Sequence, residues 1–328
     1  MSSKKRRRRA RPQARTRVEV PPPEPESADR PRRPFGSALF GSGESITPSG
    51  PRSLGRGLLT IVSTPVLLLI PLVAPAAIWL LLLQLGYEGP PGPVVAALAL
   101  PPISSYLDVG LAQSIFGDES IFLVFAAGSI VIRGIAYGLL TGMIVEALEG
   151  GRVTRYGLIT GIGAIPVALV VQVIGFSLIL VGTQLSLLLG PGLGLLALVA
   201  TLVGGVFLLG FATTVAVRQR VGVVESVRRS GRAAMLPGSR QLAFSALYFF
   251  IAIPVLLSVA GIGGGNLTTA NPPLVTWIAI LAGSIVHMTF MAALAYRWIV
   301  VEPVVPEEPV PRRRPQGREP SRRPSGRR

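Results

Sequence analysis

Between residues 57 and 300 the chain is a succession of long, almost uncharged apolar runs separated by short polar breaks. Six of these runs, at about 57–85, 121–147, 157–181, 193–217, 242–262 and 274–296, reach twenty residues or more. A bilayer hydrocarbon core of about 30 Å takes ~20 helical residues, so each run predicts a transmembrane helix. The expected fold is therefore an all-α, polytopic transmembrane bundle. Pro65-Val66, Pro166-Val167 and Pro254-Val255 fall on the first, third and fifth runs. This pattern suggests three repeated helical hairpins, and proline is tolerated in membrane helices when neighbours take up the freed carbonyl.

One apolar stretch does not fit the alternation. VVAALALPPISSYLDVGLAQSIF, residues 94–116, is interrupted by Pro101-Pro102 and carries Asp108. It is expected to be an interfacial or re-entrant segment on the outer side, because a seventh crossing would place the basic carboxyl tail outside.

Residues 1–56 and 301–328 lack hydrophobic periodicity. KKRRRRARPQARTR is a block of like charge, and both segments are rich in Pro and Arg, so both are expected to be disordered tails. The first long apolar run begins only after Arg56, so no secretory signal peptide is expected.

The formal charge of +16 changes meaning once it is mapped. Fourteen of the 32 basic residues lie in 1–56 and eight lie after Glu302. The predicted outer loops, 86–120, 182–192 and 263–273, contain no Lys or Arg, but hold Glu88, Asp108, Asp118 and Glu119. The inner loops hold Arg152 and Arg155, then Arg218, Arg220, Arg228, Arg229, Arg232 and Arg240. This segregation is the positive-inside pattern, with both termini cytoplasmic and the protein in the cytoplasmic membrane. Arg, Ala, Gly and Pro are abundant together, which points to a GC-rich prokaryotic genome and makes part of the Arg excess compositional. No aromatics interleave the Arg runs, so nucleic acid is not an expected partner.

Four groups of residues could carry chemistry. Arg133 lies mid-span, where an ionisable group is costly and is a candidate functional residue by default. Counting 1.5 Å per residue places Gln172 level with it on the next helix, and Asp108 reaches it if the Pro-Pro segment dips inward. These residues read either as an anion or headgroup site or as a satisfied structural pair. His287, the only histidine, sits on the row Ala279, Gly283, His287, Met291, Ala295; it reads as a proton relay or as a hydrogen-bonded structural residue. Gly134, Gly138 and Gly142, spaced four apart, form a close-packing face within the bundle or between protomers, and Gly283 does the same on the last span. The segment 219–236 forms a short amphipathic inner helix, with Val223, Val224, Val227 and Ala234 toward lipid and Arg228, Arg229 and Arg232 toward phosphates.

Several classes are excluded. With no cysteine there is no thiolate chemistry, and one histidine argues against a Ser-His-Asp site. No phosphate loop, HExxH or GxSxG occurs, so no cofactor and no enzyme activity are expected. Glu146 and Glu149 read as solvated loop charge.

Three stretches occur in a suggestive order. RSLGRGLLTIVSTPVLLLIPLV is a basic lead into a Pro-interrupted helix. GMIVEALEGGRVTRYGLI is an acidic-Gly-Gly-Arg inner turn, and VGVVESVRRSGRAAML is a Ser-Arg-rich inner helix. Together they resemble a loosely defined prokaryotic family of six-helix membrane proteins, similar to the membrane domain that accompanies glycerophosphodiester phosphodiesterases. The resemblance covers about 52–300 and implies topology alone, since no catalytic barrel is present and no phosphodiesterase activity follows. The expected role is a non-catalytic scaffold or accessory protein contacting anionic phospholipids of the inner leaflet and a membrane or cytoplasmic protein partner; homo-oligomers are compatible with it. The alternative is a transporter or lipid-handling protein with its site around Arg133.

Overall fold

Thr64 separates two helices of the first apolar run. Helix α1, Gly50–Ser63, stops there because Pro65 supplies no N–H and drives the preceding residue out of helical geometry, with Thr64 at φ −131° and ψ 71°. A 3₁₀ turn, Pro65–Leu68, leads into α2, Leu69–Gln84. The computed structural model describes residues 46–88, 99–116, 119–263 and 273–305. The two tails beyond 46 and 305, the start of the 94–116 segment, Asp118 and most of the 263–273 loop lie outside the described residues.

The chain continues as α3 (Ile103–Ile115), α4 (Glu119–Gly150), α5 (Arg155–Leu209), α6 (Ala212–Gln219), α7 (Val223–Ala234), α8 (Gln241–Gly263) and α9 (Pro273–Val301). A final 3₁₀ turn spans Glu302–Val304. No strand occurs among the described residues, and the fold is all-α. Four segments are long and apolar enough to cross a membrane: Pro65–Gln84, Ser120–Gly150, Arg155–Gln219 and Trp277–Val304. In α8 the described apolar stretch is the shorter Gln241–Val255.

The third and fourth predicted spans share Arg155–Gln219, which is not a single rod. Gly190 has φ 76° and ψ 174°, a combination open to glycine and closed to residues with a Cβ. The chain reverses there. A Cβ on Gly182 would lie 3.2 Å from Thr201 Oγ1, and one on Gly205 3.4 Å from Leu178 Cδ1, so 155–189 and 191–209 run back along each other as two arms.

The arms take different neighbours. Gly134, Gly138 and Gly142 of α4 face Leu169, Ile165 and Gly161 of the first α5 arm. At Gly142 the approach is backbone to backbone, since an added Cβ would sit 2.6 Å from Gly161 Cα. The stripe is thus spent inside the bundle rather than between protomers. Glu146 closes the loop between these helices: it accepts from Thr154 N at 2.8 Å, from Gly157 N at 2.9 Å and from the Thr154 hydroxyl. It therefore caps the orphan donors at the start of α5 and is more than solvated loop charge.

The three prolines do different things locally. Pro65 begins a new element, whereas Pro166 and Pro254 lie within α5 and α8. The break at Thr64 lets α1 lie along α9 while α2 turns onto α4.

Helix α7 is amphipathic as expected, but its packing face is rotated. Ser226, Ser230, Ala233 and Ala234 are buried, while Val224 is 81% exposed. Ser230 explains the rotation: its hydroxyl donates to Leu208 O at 2.6 Å and accepts from Phe211 N at 3.2 Å. These are the groups freed where α5 gives way to α6. Satisfying buried backbone outweighs turning every valine to the same side.

Candidate functional site

Helix α3 is the organising element of the interior. At 13 residues it is too short to cross a bilayer. The preceding Pro101-Pro102, joined by a cis peptide bond, fits between the two arms of α5. A Cβ on Gly175 would meet Pro101 Cβ at 3.1 Å, and one on Gly205 would meet Pro102 Cγ and Cδ at 2.8 Å. Only small residues leave room for the two pyrrolidine rings.

From this wedge α3 presents polar groups in succession. Leu100 N donates to Tyr248 Oη of α8 at 2.8 Å. One turn on, the Ser104 hydroxyl donates to Gln172 Oε1 of α5 at 3.3 Å. A further turn on, Asp108 receives a bidentate pair from Arg133 of α4, Nε to Oδ2 at 2.8 Å and Nη2 to Oδ1 at 2.6 Å. The Ser129 hydroxyl adds a bond to Asp108 Oδ2 at 3.3 Å. The two ionised side chains are 2% and 4% exposed. This fork-to-carboxylate geometry is the strongest form of the interaction, and in a dry interior it needs to be.

Arg133 and Gln172 face α3 from neighbouring helices, but each is matched to a different residue of it. Gln172 takes Ser104 and Arg133 takes Asp108, so of the two neighbours the sequence offered Arg133, Asp108 is the one that receives its guanidinium fork. Counting along helices gave their height; the register of α3 decided their partners.

His287 is fully buried beside this cluster, on the row with Ala279, Gly283, Met291 and Ala295, all buried. Its Nδ1 lies 3.1 Å from Tyr248 Oη. That hydroxyl already accepts from Leu100 N, so its own proton points to Nδ1, which fixes the neutral imidazole with its hydrogen on Nε2. Nε2 has no hydrogen-bond partner among the described residues.

A second polar assembly lies on the predicted inner side. Arg218 pairs with Glu149 and donates from Nε to Glu302 Oε2 at 2.6 Å. Gln219 Nε2 donates to Glu302 Oε1 at 2.9 Å, and Gln219 Oε1 accepts from Arg229 Nη1 at 2.6 Å. Arg229 also reaches Glu225 at 2.5 Å, so its guanidinium is engaged within the protein. Arg220 donates to Tyr156 Oη at 2.8 Å. A cleft of about 140 Å³ opens here, lined by Glu146, Glu149, Tyr156, Thr160 and Arg218.

Arg297, near the carboxyl end of α9, is a buried cation that no sequence motif marks. It is 1% exposed, with four hydrogen bonds to neutral acceptors: Pro48 O, Thr47 Oγ1, Ser239 O and Gln241 Oε1. The Phe244 ring lies 4.7 Å from its guanidinium carbon. It ties the lead into α1 to the facing ends of α8 and α9. Its only sequence signal was a charge at the end of an apolar run.

Among the described residues no group of three His, Asp or Glu side chains is placed to hold a metal ion. A cleft of about 330 Å³ between α2 and α4 is lined by apolar residues such as Leu69, Val73, Ala77, Ile132 and Leu139, and by none of the polar cluster. What the cluster can do is hold α3, Pro101 and Pro102 in the interior. Comparison with known protein families, curated proteins and solved structures finds no match to this chain.

Proposed function

We propose that the protein is a non-catalytic, multi-pass protein of the cytoplasmic membrane that acts as a scaffold or accessory protein on anionic phospholipids. In this reading the chain crosses six times with both termini inside, and α3 is a re-entrant helix opening toward the outer side. The observation that carries the reading is the closure of the Arg133–Asp108 pair on itself. Arg133 is matched in charge and geometry by Asp108, so this pair offers a solute no bare charge.

The basic residues turned outward lie on the predicted inner side. Arg152, Arg155, Arg220, Arg228 and Arg240 are exposed there, and such residues gain about 1 kcal/mol each near an anionic surface. Val224, exposed on α7, enters the acyl region while Arg228 and Arg232 meet phosphates. The expected test result is a thermal midpoint in detergent raised by several degrees more with phosphatidylglycerol than with phosphatidylcholine. Replacing Arg228, Arg232 and Arg240 by Gln should remove that difference. An unchanged difference in the triple variant would refute headgroup contact by these residues.

A transport or lipid-handling role around Arg133 is the second reading. One observation favours it: His287 Nε2 is a buried ring nitrogen with no hydrogen-bond partner among the described residues.

A further inference from the structure

The hairpin of α5 is longer than a membrane needs. Its exposed apolar face runs from Leu158 to Val181, about 35 Å at 1.5 Å per residue, already more than the ~30 Å hydrocarbon core. The exposed Gln184 follows, and then the chain becomes apolar again. Leu187, Leu188, Leu189, Leu193, Leu195 and Leu196 surround the Gly190 reversal at 48 to 81% exposure, with no charged residue among them.

Gln184 marks the outer edge of that face, six residues before the Gly190 reversal. The leucines from 187 to 196 then rise roughly 8 Å beyond it. From Leu158 to Gly190 the first arm measures about 48 Å, so submerging the tip in a ~30 Å core would take a tilt of about 50°, beyond the 0–40° that membrane helices adopt.

Six leucines at this exposure present on the order of 700 Å² of apolar surface. That exceeds the patch most monomers leave open and approaches the ~800 Å² that each side gives to a standard interface. With no charge on the tip, a partner must bring an equally apolar surface at the same height on the same face of the membrane. A second copy of this chain meets that condition through a twofold axis along the membrane normal, since an isologous contact sets a patch against itself.

We propose that the apolar tip of the α5 hairpin is a homodimer interface just outside the outer leaflet. It rests on the membrane topology given above, and the test separates the two. The chain has no cysteine, so a single introduced one reports on its own position. In native membranes under mild oxidation, Leu188→Cys should be recovered mostly as a disulfide-linked dimer. Val224→Cys, exposed on α7, should stay monomeric. Adding Leu195→Glu to Leu188→Cys should reduce the linked species at least tenfold while the protein is still recovered folded from the membrane, since Leu195 lies outside the packed core of its own bundle at 62% exposure. Three outcomes would overturn the proposal. Leu188→Cys modified from outside by an impermeant maleimide without linking would mean a tip in water with no second copy. A cysteine neither modified nor linked would mean a tip in lipid. Modification from the inner side alone would overturn the topology itself.

Discussion

Arg133→Leu should lose about 3–5 kcal/mol of stability, because it leaves the Asp108 carboxylate buried and unpaired. At roughly 2–4 °C per kcal/mol for a protein of this size, the thermal midpoint should fall by about 10 °C. Asp108→Leu should do the same from the other side. The double variant Asp108→Leu/Arg133→Leu should recover most of the loss, since replacing both ions by apolar side chains removes the desolvation cost together with the attraction. Midpoints in one detergent, measured for all four proteins, give the coupling directly. Additive losses in the double variant would show that the two residues act separately.

Gly142→Ala should also be strongly destabilising, by about 3 kcal/mol. Its new methyl would sit 2.5 Å from Gly161 N and 2.6 Å from Gly161 Cα, both backbone atoms that move only with their helix. Helices α4 and α5 would have to separate, loosening the stripe through Gly138 and Gly134. Gly163 provides the matched control. It lies in α5, two residues beyond Gly161, with nothing within 4 Å of an added Cβ, so Gly163→Ala should be neutral or stabilising by up to ~1 kcal/mol. Equal effects at the two positions would mean that the close approach at Gly142 contributes nothing.

Features that depend on one helix at a time were legible in the sequence. The apolar runs, the glycine spacing on α4 and the cost of Arg133 follow from period, length and charge. The turn at Gly190 fell inside a predicted loop, and its conformation is one that glycine alone tolerates. Features that depend on how one element is seated in another were not legible. The partner of Gln172 is Ser104 because Pro101-Pro102 is wedged at Gly175 and Gly205, and no local pattern announces that slot. Val223, Val227 and Ala234 of α7, expected toward lipid with Val224, lie against the bundle instead, because Ser230 is held by backbone groups at the end of α5. Arg297 was passed over because a basic residue at a span boundary ordinarily faces water. Here the lead into α1 covers it and supplies Pro48 O and Thr47 Oγ1. Glu146 was underrated for a similar reason: its partners, Thr154 N and Gly157 N, lie across a turn whose geometry is not written in hydropathy.

The central claim is that Asp108 and Arg133 hold α3 in place and bind nothing else. It is tested most directly by native mass spectrometry of the protein extracted gently with its own lipids. Wild type and the Asp108→Leu/Arg133→Leu variant should carry the same anionic phospholipid adducts, with no small-anion adduct on either. A lipid or anion adduct present in the wild type and lost from the folded double variant would contradict that claim and assign the pair to a ligand site.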